Sequence, residues 1–269
     1  MILHYRREAH KKNTEIVVND VRIGGHEVII IAGPCAIESE EQMLTCARAV
    51  QKYGANILRG GAYKPRANPY SFEGLGKKGL EILAKVGKEV GLPTITEVLD
   101  PRDIELIEQY ADIIQVGARN MQNVALLKEL GKSKKPILLK RGMAATVQDL
   151  LFAAEHILSQ GNSQVILCER GIRTFETETR NTLALATIPL VKELSHLPII
   201  VDPSHATGKR SLIASMSKAA VAAGADGVMI DVHPQPEAAL CDSEQALLPE
   251  EFREVVRDIR RVASAVDRT

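Results

Sequence analysis

The sequence predicts a (β/α)8 TIM barrel with a short N-terminal β-hairpin, on three observations. The 269 residues are 45% hydrophobic, enough for one large core, and such barrels run to about 250 residues as one domain. Eight short apolar runs alternate with amphipathic segments, and polar or charged side chains follow every run. An open doubly wound sheet shares the alternation but concentrates polar residues at one switch point, so the barrel is favoured.

The first predicted element is a hairpin formed by residues 15–20 and 21–25. We assign residues 1–27 to this extension and residues 28–269 to the barrel domain. About 27 residues are fewer than the roughly 50 of a small domain, so no separate domain for feedback inhibition is expected. The hairpin is instead expected to cover the bottom of the barrel.

The predicted barrel strands are short and almost continuously apolar, as strands covered on both faces should be. They begin near Glu27, Asn56, Pro93, Asp112, Pro136, Gln164, Leu197 and Gly227.

Helix start signals lie between these runs. Ser39 with Gln42, and Thr146 with Asp149, match the capping box, in which each side chain bonds the backbone N–H of the other residue. Pro249 suits the first position of the last helix. The apolar stripes that follow these signals are assigned to the core.

Charge and cysteine content restrict the class of protein. The 34 basic and 34 acidic side chains cancel, so no global field favours nucleic acid or an anionic membrane as a partner. The segment from Met1 to Lys12 is charged, and no apolar run approaches the ~20 residues of a membrane span, which predicts a cytoplasmic protein. The four cysteines lack paired spacing, so reduced thiols are expected.

Cations gather where the predicted strands end. Arg59, Lys64 and Arg66 follow one strand with no acid between them, and Gly60-Gly61 is expected to let a ligand approach the backbone. The cations at later strand ends are Arg119, Lys140 and Arg170. A solvated basic loop is the alternative for the first group alone. Mutual repulsion of so many cations at one face of a barrel favours a highly charged anionic ligand.

A second group of polar residues follows the first and the last two predicted strands, which are neighbours in a closed barrel. It consists of Cys35, His205, Asp231 and Asp242. One thiolate, one imidazole and two carboxylates suit a borderline divalent ion and not Ca2+ or Mg2+. Taken singly, a cysteine such as Cys35 is more often a small buried apolar residue, and a histidine such as His205 more often a hydrogen-bonded loop residue, than a metal ligand. Residue type alone therefore leaves the metal site open.

Eight motifs occur in order along the chain: AGPCAIES, LRGGAYKPR, TEVLD, VGARNMQN, LLKRGMAAT, CERGIRTFE, VDPSHATGKR and HPQPEAALCDS. Together they resemble the 3-deoxy-D-arabino-heptulosonate 7-phosphate (DAHP) synthases, in the short subfamily related to 3-deoxy-D-manno-octulosonate 8-phosphate synthases. The resemblance implies a metal-dependent transferase that condenses phosphoenolpyruvate with erythrose 4-phosphate. This is the first step of the shikimate pathway to aromatic amino acids.

The resemblance also implies a role for each cation. Arg119 and Arg170 correspond to residues at the phosphate of phosphoenolpyruvate, and Arg59, Lys64 and Lys140 to residues around its carboxylate. Arg66 corresponds to a residue that faces the phosphate of the aldose.

The same motifs imply the metal ligands and the catalytic residues. Cys35, His205, Asp231 and Asp242 fall on the metal positions of the family, where a divalent ion (Mn, Co, Zn or Fe) acts as a Lewis acid on the aldehyde oxygen. Lys64 is expected to move a proton and Glu97 to position water, beside the catalytic metal ligands Cys35 and His205.

Two positions depart from the family pattern. The strand-eight motif has Asp231 where the family usually has Glu, so its carboxylate reaches one methylene less far. After Lys64-Pro65-Arg66 the family usually has Thr or Ser, but this chain has Ala67, which lacks a hydroxyl for the aldose phosphate.

Two other functions are weighed against DAHP synthesis. One is an octulosonate 8-phosphate synthase that uses arabinose 5-phosphate, although its loop reads Lys-Ala-Asn-Arg where this chain has Lys64-Pro65-Arg66. The other is a non-catalytic barrel that binds phosphoenolpyruvate. The expected assembly is a homo-oligomer, a dimer or a tetramer, with chorismate mutase as a candidate partner enzyme.

Overall fold

The computed structural model describes residues 3–269. Over this range the strands are β1 (Ile16–Val18), β2 (Val21–Ile23), β3 (Ile29–Gly33), β4 (Ile57–Arg59), β5 (Thr94–Val98), β6 (Ile113–Val116), β7 (Ile137–Lys140), β8 (Val165–Glu169), β9 (Ile199–Val201) and β10 (Gly227–Asp231). Each barrel strand, β3 to β10, begins within two residues of its predicted start.

The α-helices of the described residues lie between and after these strands. They are α1 (Glu40–Lys52), α2 (Lys77–Val90), α3 (Ile104–Glu108), α4 (Val124–Leu130), α5 (Val147–Leu158), α6 (Thr187–Leu194), α7 (Pro203–Thr207), α8 (Arg210–Ala222) and α9 (Pro249–Ala265). None of them is both long and apolar enough to cross a membrane.

The strands β3 to β10 close into a parallel barrel, which confirms the predicted fold class. The order is β3 to β9 in sequence, and β10 closes the ring between β9 and β3. Asp231 at the end of β10 pairs in register with Gly33 at the end of β3. The C-terminal ends of β9, β10 and β3 are therefore neighbours, as the grouping of Cys35, His205, Asp231 and Asp242 requires.

The hairpin β1–β2 closes the bottom of the barrel, as expected. Its strands pair antiparallel, with Ile16 opposite Ile23. Ile16, Val18 and Ile23 belong to the same apolar cluster as the inward side chains of the barrel strands. Burial of these side chains, at roughly 1.5–3 kcal/mol each, ties the hairpin to the barrel. The domain boundary after residue 27 stays a prediction.

Of the two predicted capping boxes, one is confirmed and the other forms only in part. Thr146 and Asp149 form the predicted capping box, since each side chain accepts from the backbone N–H of the other residue. Ser39 also caps α1, by accepting from the N–H of Gln42. The Gln42 side chain, however, accepts from Glu38 N instead of Ser39 N, so the reciprocal bond of this box is shifted by one residue.

Candidate active site

A cavity of about 460 Å³ opens at the C-terminal ends of the barrel strands. The residues predicted for the site that line it are Arg59, Lys64, Arg66, Glu97, Arg119, Lys140, Arg170, His205 and Asp242. Cys35 and Asp231 lie just beneath its floor, in contact with Lys64 and Arg59 respectively. This face is where the active sites of (β/α)8 barrels are built.

Two of the cavity's cations are paired with buried acids. Arg59 forms an ion pair with Asp231, and Lys140 Nζ lies 2.5 Å from Asp202 Oδ2. All four side chains are at most 5% exposed. The acids come from β10 and from the residue after β9, so strands distant in sequence bring them to β4 and β7.

Arg119 and Arg170 instead donate to backbone carbonyls, of Pro65 and His205 respectively, and have charge available for a ligand. Two further arginines of the cavity, Arg173 and Arg180, were missed by the sequence analysis. Both lie in the long segment between β8 and α6. Because that segment follows the C-terminal end of a barrel strand, its arginines could have been predicted to reach the cavity. The excess of cations supports the predicted polyanionic ligand.

Lys64 links the cations to the Cys35 group. Its Nζ lies 2.9 Å from Cys35 Sγ and 3.2 Å from the Cys35 carbonyl oxygen. Burial opposes the charged form of Lys64, but the charges of Cys35 and Glu97 outweigh it and hold the pKa of Lys64 above its usual value. Lys64 is therefore an ammonium at neutral pH and has protons to donate.

Cys35, His205 and Asp242 form a cluster suited to a metal ion, with one ligand atom of each within 4.8 Å of the others. Cys35 Sγ lies 2.9 Å from Asp242 Oδ2 and 3.6 Å from His205 Nε2. A hydrogen bond with Cys241 lowers the pKa of Cys35 most, and Lys64 and His205 add to this against the effect of burial. A thiolate beside a carboxylate is an anionic donor set that a bound divalent cation stabilises, so these residues fit the predicted metal.

Asp202 fixes which nitrogen of His205 faces the cluster. It caps α7 by accepting from His205 N at 2.9 Å, and its Oδ2 lies 2.9 Å from His205 Nδ1. Burial alone would raise the pKa of Asp202, but His205 and Lys140 outweigh burial and hold it well below its usual value. His205 Nε2 is thereby directed towards Cys35, as in the carboxylate–histidine–metal arrangement of known sites. The Asp-Pro start of α7 was a readable capping signal for Asp202.

Asp231 lies beside the cluster but is not among its converging ligand atoms. Its Oδ2 accepts from Gln245 Nε2 at 2.5 Å and lies 3.5 Å from His205 Nδ1, and its Oδ1 faces Arg59. The sequence offered no signal for Gln245. In this structure the Asp231 carboxylate thus pairs with Arg59. Its direct ligation of a metal stays a prediction.

Gly60 and Gly61 have a packing role that was not predicted. A Cβ at Gly61 would lie 2.5 Å from the Cys35 carbonyl oxygen, and one at Gly60 would lie 2.9 Å from the Ile37 side chain. The glycines therefore allow the loop after β4 to pack against the loop after β3. Close approach of a ligand to this backbone stays a prediction.

Glu97 reaches the cavity from β5 through space that Gly117 leaves free. Its Oε2 accepts from Gln115 Nε2 at 2.9 Å. A Cβ at Gly117 would lie 2.0 Å from Glu97 Oε1, although the backbone there, at φ −67°, accepts any residue. Gly117 is thus required by the Glu97 carboxylate and not by the chain conformation.

Gly117→Ala is expected to lower kcat at least about tenfold with little loss of stability, because it displaces the carboxylate predicted to position water. Steady-state kinetics of Gly117→Ala, Glu97→Ala and the double variant check this. The double variant should lose no more kcat than Glu97→Ala alone, since each change acts through the same Glu97 carboxylate. Gly142→Ala, where a Cβ meets neighbours at 3.4 Å or beyond, is the matched control. Unchanged kcat in Gly117→Ala would contradict the assigned role of the glycine.

The outer part of the cavity contains the second departure from the family pattern. Arg66, Ala67, Asn68 and Ser71 line it together. Asn68 Oδ1 accepts from Tyr70 N at 3.0 Å, which leaves its amide nitrogen for a ligand. Ala67 brings no polar side-chain group to this region.

The fold and the site define a class of protein: a TIM-barrel enzyme with a cation-lined cavity suited to polyanionic substrates, beside a Cys–His–Asp cluster suited to a divalent metal. The family model of the DAHP synthetase I family matches residues 8–266. The chain belongs to this family.

Similar proteins agree with that membership. A phospho-2-dehydro-3-deoxyheptonate aldolase of Thermotoga maritima is 49% identical over 260 residues, which cover 97% of this chain and 77% of that protein. The crystal structure of the Thermotoga maritima DAHP synthase is similar with a TM-score of 0.96 and 48% identity, covering 98% of this chain and 78% of that one. A 2-dehydro-3-deoxyphosphooctonate aldolase of Syntrophotalea carbinolica is 30% identical over 268 residues, which cover 93% of this chain and 96% of that protein.

Proposed function

We propose that this barrel condenses phosphoenolpyruvate with erythrose 4-phosphate to give DAHP and phosphate. The observation that carries the proposal is the 2.9 Å contact between Lys64 Nζ and Cys35 Sγ, which joins the cation-lined cavity to the metal cluster. A polyanion bound by the cations therefore lies beside a Lewis-acid site. This is the arrangement that an enol phosphate and an aldehyde need in order to react.

Phosphoenolpyruvate binds through the inner cations. Arg119 and Arg170, whose side chains donate to carbonyls and not to carboxylates, take its phosphate. Arg59, Lys64 and Lys140 surround its carboxylate. The acids Asp231 and Asp202 hold Arg59 and Lys140 in place, so these two cations are oriented before the substrate arrives.

Cys35, His205 and Asp242 hold the divalent metal, with Asp231 as the fourth candidate ligand. When bound, the ion polarises the aldehyde oxygen of the second substrate. The donor set fits Mn2+, Co2+, Zn2+ or Fe2+, and the residues do not select one of them.

Lys64 and Glu97 serve the proton and water steps. C3 of phosphoenolpyruvate attacks the aldehyde carbon, and the Lys64 ammonium donates a proton to the oxygen that becomes a hydroxyl. Water positioned by Glu97 adds at C2, which the attack leaves electron-deficient, and one water proton returns to Lys64. The other proton passes to the phosphate as the C2–O bond breaks and the C2 carbonyl forms, so one water is consumed for each phosphate released. The cations that bound the phosphoryl group stabilise the departing anion.

The alternatives are separated by turnover. Octulosonate 8-phosphate synthesis is less supported, since the relative named for that product is 30% identical and the relative named for the heptonate is 49% identical. A non-catalytic barrel would release no phosphate from either aldose. Phosphate release with erythrose 4-phosphate and with arabinose 5-phosphate, each with and without a chelator, tests all three readings.

Wild-type enzyme is expected to prefer erythrose 4-phosphate and to show side activity on five-carbon aldose phosphates, because Ala67 cannot hydrogen bond the aldose phosphate. A hydrogen bond to a charged group is worth about 1.5–3 kcal/mol, so Ala67→Thr should lower KM for erythrose 4-phosphate roughly tenfold. It should also sharpen discrimination, measured as the ratio of kcat/KM for the two aldoses. Ala67→Val is the control of similar shape without the hydroxyl. A wild-type preference for arabinose 5-phosphate would overturn the proposed second substrate.

We further propose a cytoplasmic homo-oligomer, a dimer or a tetramer, with chorismate mutase as a candidate partner. Light scattering of the purified enzyme tests the first point, and co-elution with a chorismate mutase tests the second.

A further inference from the structure

Glu38 joins the two loops that supply Cys35 and Asp242. It lies three residues after Cys35, in the loop between β3 and α1, and its side chain is 13% exposed. One carboxylate oxygen, Oε1, accepts from Leu240 N at 2.8 Å, in the loop between β10 and α9. The other, Oε2, lies 3.5 Å from Nε2 of His233 in the same loop.

The contact partner His233 is itself fixed. Its backbone N–H donates to Leu247 O at 3.0 Å, and its Nδ1 accepts from Gln235 N at 3.0 Å. Because Nδ1 is an acceptor, Nε2 carries the ring hydrogen, and it faces the Glu38 carboxylate. Glu38 thus accepts one hydrogen bond from the loop that carries Asp242, from Leu240 N–H, and its second oxygen lies beside the His233 ring of the same loop.

Asp242 needs such support, because its backbone is in the left-handed region, at φ 54°. This conformation is unfavourable for residues other than glycine and persists where the surroundings hold it. Arg180 Nη1 holds Asp242 Oδ1 at 2.9 Å, while Oδ2 faces Cys35. The Glu38–Leu240 bond fixes the backbone two residues before Asp242, whereas Arg180 holds the side chain.

We propose that Glu38 is a positioning residue for the metal site, which keeps Cys35 and Asp242 at ligating distance by clamping one loop to the other. Glu38 does not line the cavity and is not predicted to touch substrate or metal. Its role rests on the proposed metal site, and it acts on affinity for the ion before any chemistry. Partners that orient metal ligands in this way are worth about 10–100-fold in metal affinity.

The test is the affinity of purified, metal-stripped protein for Co2+, measured by competition with a chromophoric chelator. Glu38→Ala is expected to bind Co2+ about 10–100-fold more weakly than wild type. Glu38→Gln should bind Co2+ more tightly than Glu38→Ala, because its amide oxygen still accepts from Leu240 N–H although its amide nitrogen cannot accept from His233 Nε2–H. Glu41→Ala, at an exposed position in the first turn of α1, is the matched control and should leave affinity unchanged.

Two further readouts separate positioning from a merely structural role. At saturating Co2+, Glu38→Ala should retain the thiolate-to-metal charge-transfer band, since Cys35 is still present, and its metal-free Tm should stay close to that of wild type. Glu38→Asp, whose shorter side chain cannot reach both partners, replaces Glu38→Ala if the latter does not fold, and should also weaken binding. Equal affinity of wild type and Glu38→Ala or Glu38→Asp overturns the positioning role. Failure of wild type to bind Co2+ overturns the metal site itself, which is a distinct result.

Discussion

Cys35→Ala is expected to reduce turnover below detection and to abolish tight binding of the divalent metal, while the barrel stays folded. Cys35 supplies the one thiolate of the cluster, and its Sγ is within hydrogen-bonding distance of both Asp242 Oδ2 and Lys64 Nζ. Alanine therefore removes a predicted metal ligand and also the thiol that Lys64 Nζ contacts. Phosphate release and chelator competition with Co2+ measure the two losses separately.

Cys46→Ala is the matched control for this variant. Cys46 is a fully buried thiol of α1 whose Sγ donates to Val232 O at 3.3 Å. Burial raises its pKa to about 12, so it is a neutral thiol without ligand character. Its loss should lower stability by roughly 1–2 kcal/mol through lost packing and leave metal affinity unchanged. Turnover at the wild-type level in metal-stripped Cys35→Ala would show that the thiol is neither a ligand nor a catalytic residue.

Asp231→Ala is expected to have the largest effect on stability, a loss of about 3–5 kcal/mol, because it leaves the buried Arg59 without its acid. Arg59 is 4% exposed, so water compensates only in part for the lost partner. Urea denaturation measures this loss. Metal affinity should fall as well, whether Asp231 ligates directly or acts through His205 Nδ1 at 3.5 Å.

Asp231→Glu should keep or tighten metal binding, since the added methylene carries the carboxylate towards the cluster and matches the residue usual in the family. Glu129→Ala, which removes an exposed ion pair with Lys132 on the surface, should cost no more than about 0.5 kcal/mol and is the control for stability. Two results would count against this account: unchanged metal affinity in Asp231→Ala, which would exclude Asp231 as a ligand, and unchanged stability, which would deny the ion pair with Arg59.

The fold was predictable from sequence because it depends on short-range periodicity. Nearly continuous apolar runs specify strands covered on both faces, and alternation with amphipathic helices specifies parallel pairing. The cap at Thr146 was predictable for the same reason, since its bonding partner Asp149 lies in the same helical turn. The bond of Gln42 to Glu38 was not, because propensity does not distinguish between neighbouring N–H groups at a helix start.

The candidate site was likewise predictable only in part from the sequence. The sequence by itself determined which residue types stand at the strand ends: cations for a polyanion, and a thiol, an imidazole and carboxylates for a metal. The tertiary structure alone decided their partners. In the folded barrel Asp231 pairs with Arg59, and Asp202 pairs with Lys140 and His205. Glu38 accepts a hydrogen bond from the loop that carries Asp242. Such pairings depend on closure of the barrel and on the directions in which side chains point across it. Because the paired residues are far apart in the chain, the sequence around one of them does not indicate the other.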